Sequence, residues 1–331
     1  MEGEKNMKTY LITGGAGFIG SHLSEVLLKK GDRVICIDNF NNFYSPKIKE
    51  YNIAKFINNP LFVLYRIDIT DEIAMNKVFT ENHVDTVINL AAMAGVRPSI
   101  ENPILYQSVN CMGFQILLDC MSKHNIKKLV AASSSSVYGN NTKVPFVETD
   151  VVDYAISPYA ATKKANEVMG HVFYKLYDID MIFLRFFTVY GPGQRPDLAI
   201  HKFTRMIDQG EMIPFFGDGN TSRDYTYIMD ILDGVMKSIA YVESNHVYDI
   251  FNLGESTPIT LNKMLDTIER HLGKKAIVKH LPMQPGDVNT TYADITKAKS
   301  LLNYQPTTKF DDGIEAFVCW YHKVKELGIY E

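Results

Sequence analysis

The sequence is poor in the features that mark several protein classes. Its 331 residues contain 4 cysteines. Cys36, Cys111, Cys120 and Cys319 show no paired ligand spacing, so neither a zinc centre nor a disulfide framework is expected, and a reducing cytoplasm suits the chain. His22, His171 and His201 lack metal-ligand spacing as well. No apolar run is long enough to span a bilayer, and the first seven residues, MEGEKNM, are too polar for a secretory signal. A large excess of charge of one sign is missing too. The formal net charge of −4 leaves no electrostatic footprint for nucleic acid or an anionic membrane. Internal repeats, low-complexity tracts and long linkers are absent. What remains is a chain with 46% hydrophobic residues, enough for a real core in one large domain or two smaller ones.

What is present begins at residue 9. The run TYLIT over 9–13 reads as a strand, it ends in Gly14-Gly-Ala-Gly17-Phe-Ile-Gly20, and a helix is expected over 21–30. Glycines let the backbone approach a pyrophosphate closely, and a helix N-terminus supplies amide donors and the positive end of a dipole. The run fits G-x-x-G-x-x-G through Gly14, Gly17 and Gly20, a weak signal alone. It gains weight from a second apolar strand over 33–37 that ends on Asp38. A carboxylate there takes the adenosine ribose hydroxyls and repels a 2′-phosphate, which favours NAD over NADP.

The alternation continues along the chain. A strand over 61–67 leads to Asp68 and Ile69, where a polar side chain meets an adenine amino group. Another over 84–90 breaks into the small residues Ala91, Ala92, Met93, Ala94 and Gly95. A helix is expected over 103–124 and a strand over 128–132 that runs into Ser133-Ser-Ser-Ser136. Strands separated by helices imply an α/β fold of Rossmann type, a doubly wound parallel sheet with its ligand crevice at the carboxyl ends of the strands. Each motif so far falls at such an end. A run of hydroxyls equally makes a plain polar loop.

Ser157-Pro158-Tyr159 opens the next helix, with serine as N-cap and proline in the first turn. Tyr159 and Lys163, four residues apart, share one face of it. A phenol titrates near 10 in water, and a fixed ammonium beside it lowers that value towards one useful to a general base. A tyrosine and a lysine at this spacing also occur by chance on solvated helices. Further strands are expected over 182–187, 212–216, 247–253 and 276–281, with helices over 261–272, 295–302 and 311–326.

The glycine loop, Asp38, the serine-rich strand end and Tyr159-x-x-x-Lys163 together resemble the extended short-chain dehydrogenase/reductase family, specifically its nucleotide-sugar epimerases and dehydratases. The resemblance covers nearly the whole chain. Ala94-Gly-Val-Arg97, Ser133-Ser-Ser-Ser-Val-Tyr-Gly139, Tyr159-Ala-Ala-Thr-Lys-Lys-Ala-Asn166 and Leu184-Arg-Phe-Phe-Thr-Val-Tyr-Gly-Pro192 are similar to the subfamily that interconverts UDP-glucuronate and UDP-galacturonate with tightly held NAD. It implies Tyr159 as acid–base, Lys163 as its partner on the nicotinamide ribose, and Ser134 sharing the sugar 4-hydroxyl proton. Gly14, Gly17, Phe18, Ile19, Gly20, Asp38, Asn39, Asp68, Ile69, Leu90, Ala91, Ala92 and Asn110 would hold NAD. Arg97, Ser134, Ser135, Ser136, Thr188, Arg195, Phe215, Arg223 and Asp287 would meet the UDP-sugar. Arg195 is the candidate for the uronate carboxylate, because a guanidinium takes a carboxylate through two hydrogen bonds. For Phe215, and its neighbour Phe216, core packing is the competing expectation.

The same resemblance carries an interleaved division: 7–190 with a return at 224–257 for the cofactor, and a smaller α/β unit of 191–223 and 258–331 for the nucleotide sugar. It also implies a homodimer paired through the helices over 103–124 and 158–177. Two departures stand out. Gly193-Gln194 replaces the usual Trp-Gly before Arg195, and Gln284 stands where an arginine is usual. Decarboxylases and dehydratases of the family carry acidic residues just before Val-Tyr-Gly, where this chain has Ser135 and Ser136. A neutral UDP-hexose epimerase, a UDP-glucuronate decarboxylase and a non-catalytic NAD-binding scaffold are the alternatives.

Overall fold

The computed structural model describes residues 7–282 and 290–329. In chain order it runs β1 (Thr9–Thr13), α1 (Phe18–Lys29), β2 (Arg33–Ile37), α2 (Pro46–Ala54), β3 (Phe62–Tyr65), α3 (Glu72–Glu81), β4 (Thr86–Asn89), α4 (Val96–Glu101), α5 (Pro103–Tyr106), α6 (Gly113–Lys123), β5 (Lys128–Ser134), α7 (Pro158–Tyr177) and β6 (Asp180–Phe186). It continues with β7 (Thr188–Tyr190), α8 (Ala199–Gln209), β8 (Met212–Phe216), β9 (Ser222–Tyr227), α9 (Ile228–Ser244), β10 (Tyr248–Leu253), β11 (Pro258–Thr260), α10 (Leu261–Leu272), β12 (Ile277–Leu281), β13 (Thr290–Thr291), α11 (Thr296–Leu302) and α12 (Phe310–Glu326).

Seven strands form the main sheet in the order β10-β6-β5-β4-β1-β2-β3, and every pairing is parallel. Such strands are covered on both faces, so their residues need not alternate. Accordingly β1, β4 and β6 are buried along their whole length. Leu11 and Ile12, neighbours on β1, enter separate apolar clusters on opposite faces of the sheet. The strand order reverses between β1 and β4, which places a crevice outside their carboxyl ends.

The smaller unit is built on β9. It pairs antiparallel with β11 and parallel with β13 and β7, while β8 and β12 make a separate parallel pair. Its core gathers Tyr190, Phe203, Met206, Phe215, Ile268 and Phe317.

Two local features set where α7 lies. Its N-cap is as expected, with Ser157 Oγ accepting from Ala160 N at 3.1 Å. The helix expected over 103–124 instead contains a π turn at Gln107–Met112 between α5 and α6. Asn110 lies in that turn, and its carbonyl accepts from Asn166 Nδ2 on α7 at 3.0 Å. Behind α7, Arg185 of β6 is 1% exposed and meets Glu167 through two parallel bonds, Nε to Oε1 and Nη2 to Oε2, both 2.9 Å. Ser133 Oγ donates to the same Oε1 at 2.7 Å, and Arg185 Nη1 donates to Tyr138 Oη at 3.0 Å. Tyr138 in turn donates to Asn252 Oδ1 of β10 at 2.7 Å.

Removing one member of such a buried pair strands the other charge. Glu167→Ala is expected to lower the unfolding free energy by about 3–5 kcal/mol, and Ser133→Ala by about 1 kcal/mol. Denaturant titration of both variants measures the two losses; equal losses would contradict this account.

Candidate active site

A cleft of about 380 Å³ opens at the carboxyl ends of β1, β2, β4 and β5. On one side lies the glycine loop. Gly14 has φ +69°, and a Cβ there would come within 2.8 Å of Ala91 N. A Cβ on Gly20 would run into the Gly14 carbonyl oxygen. Gly14 and Gly20 are therefore closed to side chains, and the loop lies directly against the chain leaving β4. Helix α1 starts from Gly17 without a side-chain cap or an acidic residue in its first turn, the electrostatics of an anion site. Glycine backbone, helix N-terminus and a carboxylate at the end of β2 together fit a dinucleotide.

That carboxylate is more heavily engaged than the sequence implied. Asp38 is buried; its Oδ1 accepts from Lys49 Nζ at 2.7 Å and Phe40 N at 2.9 Å, and its Oδ2 from Ala16 N at 3.3 Å. Lys49 also lines the cleft, as do Asn41, Phe43 and Tyr44, none of them singled out in the sequence. Asp68 Oδ2 accepts from Asn39 Nδ2 at 2.6 Å, and its Oδ1 from Thr70 Oγ1 at 2.7 Å. Burial acts to raise the Asp68 pKa, but these bonds outweigh it and hold the carboxyl below its usual range.

Tyr159, Lys163 and Ser134 line the same cleft. Tyr159 packs edge-on to Tyr106, with ring centroids 6.2 Å apart, and the Ser134 hydroxyl lines the same cleft. Ser134 Oγ donates to Ser136 Oγ and accepts from Ser136 N, both at 3.2 Å. Lys163 is buried and donates to the Ala132 carbonyl of β5 at 2.8 Å, while its Nζ lies 5.9 Å from the Tyr159 ring centroid. The expected lowering of the phenol by Lys163 is not what the structure holds. Burial raises the Tyr159 pKa, and the opposing influences are the neighbouring Ser134 hydroxyl and the charge of Arg195. Lys163 itself is pushed down to about 8 by burial, against the pull of Cys111 and Glu167.

Ser135, Ser136, Thr188 and Arg195 also line the cleft. Arg195 donates through Nε to Asp197 Oδ1 at 3.0 Å and through Nη2 to Asp197 Oδ2 at 2.7 Å, and its guanidinium lies 5.4 Å from the Phe43 ring centre. Beside it, Gly193 has φ +84° and faces His22 closely enough that a Cβ would meet the ring at 2.9 Å. Gln194 is buried, donating to Val189 O at 3.1 Å.

The cleft thus gathers Gly14, Gly17, Phe18, Ile19, Gly20, Asp38, Asn39, Asp68, Ile69, Leu90, Ala91, Ala92, Ser134, Ser135, Ser136, Tyr159, Lys163, Thr188 and Arg195. Four expected residues do not line it. The Asn110 side chain is spent on protein: it accepts from Met93 N at 2.8 Å and donates to Met93 O and Thr162 Oγ1, both at 3.0 Å. Phe215 is buried in the core of the smaller unit, edge-on to His280, so core packing is its role here. Arg97 is exposed on α4, and Arg223 is half-buried on β9, donating to Ser222 O at 2.9 Å. Asp287 and Gln284 lie outside the described residues.

A glycine cradle and a tyrosine–serine–lysine group facing one cleft of a doubly wound sheet define a short-chain dehydrogenase/reductase of the extended, nucleotide-sugar-modifying kind. The model of the GDP-mannose 4,6 dehydratase family matches residues 11–317, and the chain belongs to that family. It is 42% identical over 322 residues to a UDP-glucuronate 4-epimerase of Thermodesulfobacterium geofontis, covering 97% of this chain and 98% of that one. UDP-glucuronate 4-epimerase 4 of Arabidopsis thaliana is 41% identical, over 95% of this chain and 75% of that protein. The crystal structure of UDP-glucuronic acid 4-epimerase from Bacillus cereus, in complex with UDP-glucuronic acid and NAD, superposes with a TM-score of 0.89 at 35% identity, covering 96% of this chain and 99% of that one.

The depressed Lys163 pKa has a measurable sign. Between about 8 and the ordinary 10.5, the unfolded chain carries a proton on this amine that the folded protein has lost. Stability gained through this group therefore rises with pH across that window, is complete above 10.5, and is lost as pH falls through 8. Lys163→Met should remove a pH-dependent contribution on the order of 3 kcal/mol. Urea titrations at pH 8 and 10 compare the two proteins, and parallel pH profiles would refute the assignment.

Proposed function

We propose that the chain catalyses NAD-dependent epimerisation at C4 of UDP-glucuronate to UDP-galacturonate. The observation that carries the reading is the convergence of Tyr159, Ser134 and Arg195 on the cleft that also holds the glycine cradle. NAD bound there supplies the acceptor and later the donor of the C4 hydride. Tyr159 takes the proton from the sugar 4-hydroxyl, and Ser134, on the same cleft, shares it through a hydrogen bond to that hydroxyl. The 4-keto sugar then turns its other face inward, and Tyr159 returns the proton. Lys163 lies one helical turn deeper, its ammonium held on Ala132 O beside the serine row.

The carboxylate is the second requirement. Arg195 supplies the cation for it, and Ser135, Ser136 and Thr188 add hydroxyls. A 4-keto uronate is a β-keto acid that loses carbon dioxide readily, and Ser135 and Ser136 place no acid–base carboxyl beside the sugar ring. Residues 7–190 with 224–257 are read as the cofactor half, and 191–223 with 258–331 as the nucleotide-sugar half. The diphosphate is assigned to Arg223 in this reading.

The chain is further read as a cytoplasmic homodimer. Its cysteines are all free, and among the described residues no helix is long and apolar enough to cross a membrane. Ile104 at 84% exposure, Met112, Val168, Val172 and Leu176 at 68% leave an apolar face on the helices 103–124 and 158–177, which a second copy would cover.

Purified protein with NAD should convert UDP-glucuronate to UDP-galacturonate without accumulating UDP-xylose; UDP-xylose as the main product would establish decarboxylation instead. Tyr159→Phe should retain NAD and lower kcat by about 10²- to 10⁴-fold. Analytical ultracentrifugation should find a dimer that Val168→Glu converts to monomer, and a monomeric unmodified protein would remove the dimer from this reading.

A further inference from the structure

Arg195 is fastened along one edge only. Its Nε and Nη2 grip the two oxygens of Asp197, and among the described residues nothing accepts from Nη1. Phe43 lies against the guanidinium face. The side chain is 18% exposed, whereas its partner Asp197 is 43% exposed and stands outside the cleft lining. A guanidinium can take one carboxylate along its Nε/Nη2 edge and a second across its Nη1/Nη2 end. With the first edge pinned and a face covered, this cleft-lining arginine keeps two donors at its Nη1/Nη2 end in a fixed arrangement.

We propose that Asp197 is a positioning residue that sets specificity: by pinning Arg195 it presents the Nη1/Nη2 end as a rigid receptor for a carboxylate carried by the sugar ring. This rests on the reading that Arg195 receives the uronate carboxylate. Its physical content is preorganisation. An arginine side chain free to rotate must be ordered when the substrate binds, and Asp197 has already done that ordering. The benefit reaches only substrates that use the receptor. A neutral UDP-hexose makes no bidentate contact there, so its affinity does not depend on Asp197. Asp197 also leaves the Arg195–Asp197 pair neutral overall. A neutral sugar therefore does not leave an unpaired guanidinium on the cleft behind it.

The test compares Asp197→Ala, Asp197→Asn and Arg195→Ala with the unmodified protein. Dissociation constants for UDP-glucuronate and UDP-glucose are measured by calorimetry, and KM and kcat for UDP-glucuronate by product analysis. Asp197→Ala should weaken UDP-glucuronate binding by about tenfold, mainly in KM, with UDP-glucose affinity unchanged. Asp197→Asn, which keeps one acceptor oxygen, should fall between. Equal weakening of both sugars would make Asp197 a loop-stabilising residue and overturn the proposal, as would tighter uronate binding in Asp197→Ala, which would mark Asp197 as a competitor for the fork. If Arg195→Ala leaves uronate affinity intact, the underlying Arg195 reading fails. If Arg195→Ala weakens it while Asp197→Ala does not, only the Asp197 inference fails.

Discussion

A guanidinium buried as deeply as that of Arg185 has to be neutralised where it lies, and the geometry of the cleft depends on how this is done. Glu167 meets it edge to edge, so a residue of α7 is bound to a residue of β6 by two charge-assisted bonds that fix both distance and orientation. Glu167 lies eight residues beyond Tyr159 and four beyond Lys163 on the same helix, so the pair sets the register of α7 against the sheet. The same carboxylate takes the hydroxyl of Ser133, which immediately precedes Ser134. One buried ion pair thereby holds the tyrosine, the lysine and the serine of the cleft in a common frame. A pair of this kind is poor evidence for net stability, since its desolvation offsets much of its attraction. Its value is positional.

The electrostatics inside that frame differ from a simple lysine-next-to-phenol picture. Burial dominates both groups and drives them in opposite directions, the phenol up and the amine down. Lys163 donates to a strand carbonyl, and the charge that favours the phenolate comes from Arg195, on the loop between β7 and α8. In the proposed reading, acid–base chemistry and substrate recognition are thus coupled through a single cation. Whatever neutralises Arg195, whether Asp197 alone or Asp197 together with a sugar carboxylate, also acts on the proton affinity of Tyr159.

Much of the fold and the cofactor cradle was legible because the signals are local. Continuous apolar runs mark strands buried on both faces, glycines at three-residue spacing mark the turn into α1, and Ser157-Pro158 marks the start of α7. Strand ends were misplaced by a few residues, as with 61–67 against the observed Phe62–Tyr65 and 128–132 against Lys128–Ser134, since pairing with the neighbouring strand sets where a ladder stops. What could not be read locally is pairing between distant elements. Lys49 follows Asp38 by eleven residues on a helix with little apolar bias, and only the fold brings them to 2.7 Å. Nothing in the residue types of 107–112 announces a π turn. The direction of Phe215 depends on which face of β8 is covered, and core packing against His280 decided it.

The loop of 191–197 shows how a family framework absorbs a local departure. Where the related pattern has a tryptophan and a glycine, this chain has Gly193 and Gln194. Gly193 takes a positive φ, strained for any larger residue, and lies so close to His22 that a side chain there would have to displace the imidazole. Gln194 turns inward, its amide donating to Val189 O and its backbone carbonyl bonded to His201. Bulk has moved from one position to the next, and the buried glutamine anchors the loop from below. Arg195 follows directly, so its backbone is fixed by Gln194, its ring-facing side by Phe43 and its outer edge by Asp197. Three independent restraints on one long side chain are more than a surface arginine needs. They are what a group must have if it is to hold a carboxylate while the rest of the sugar turns over beside it.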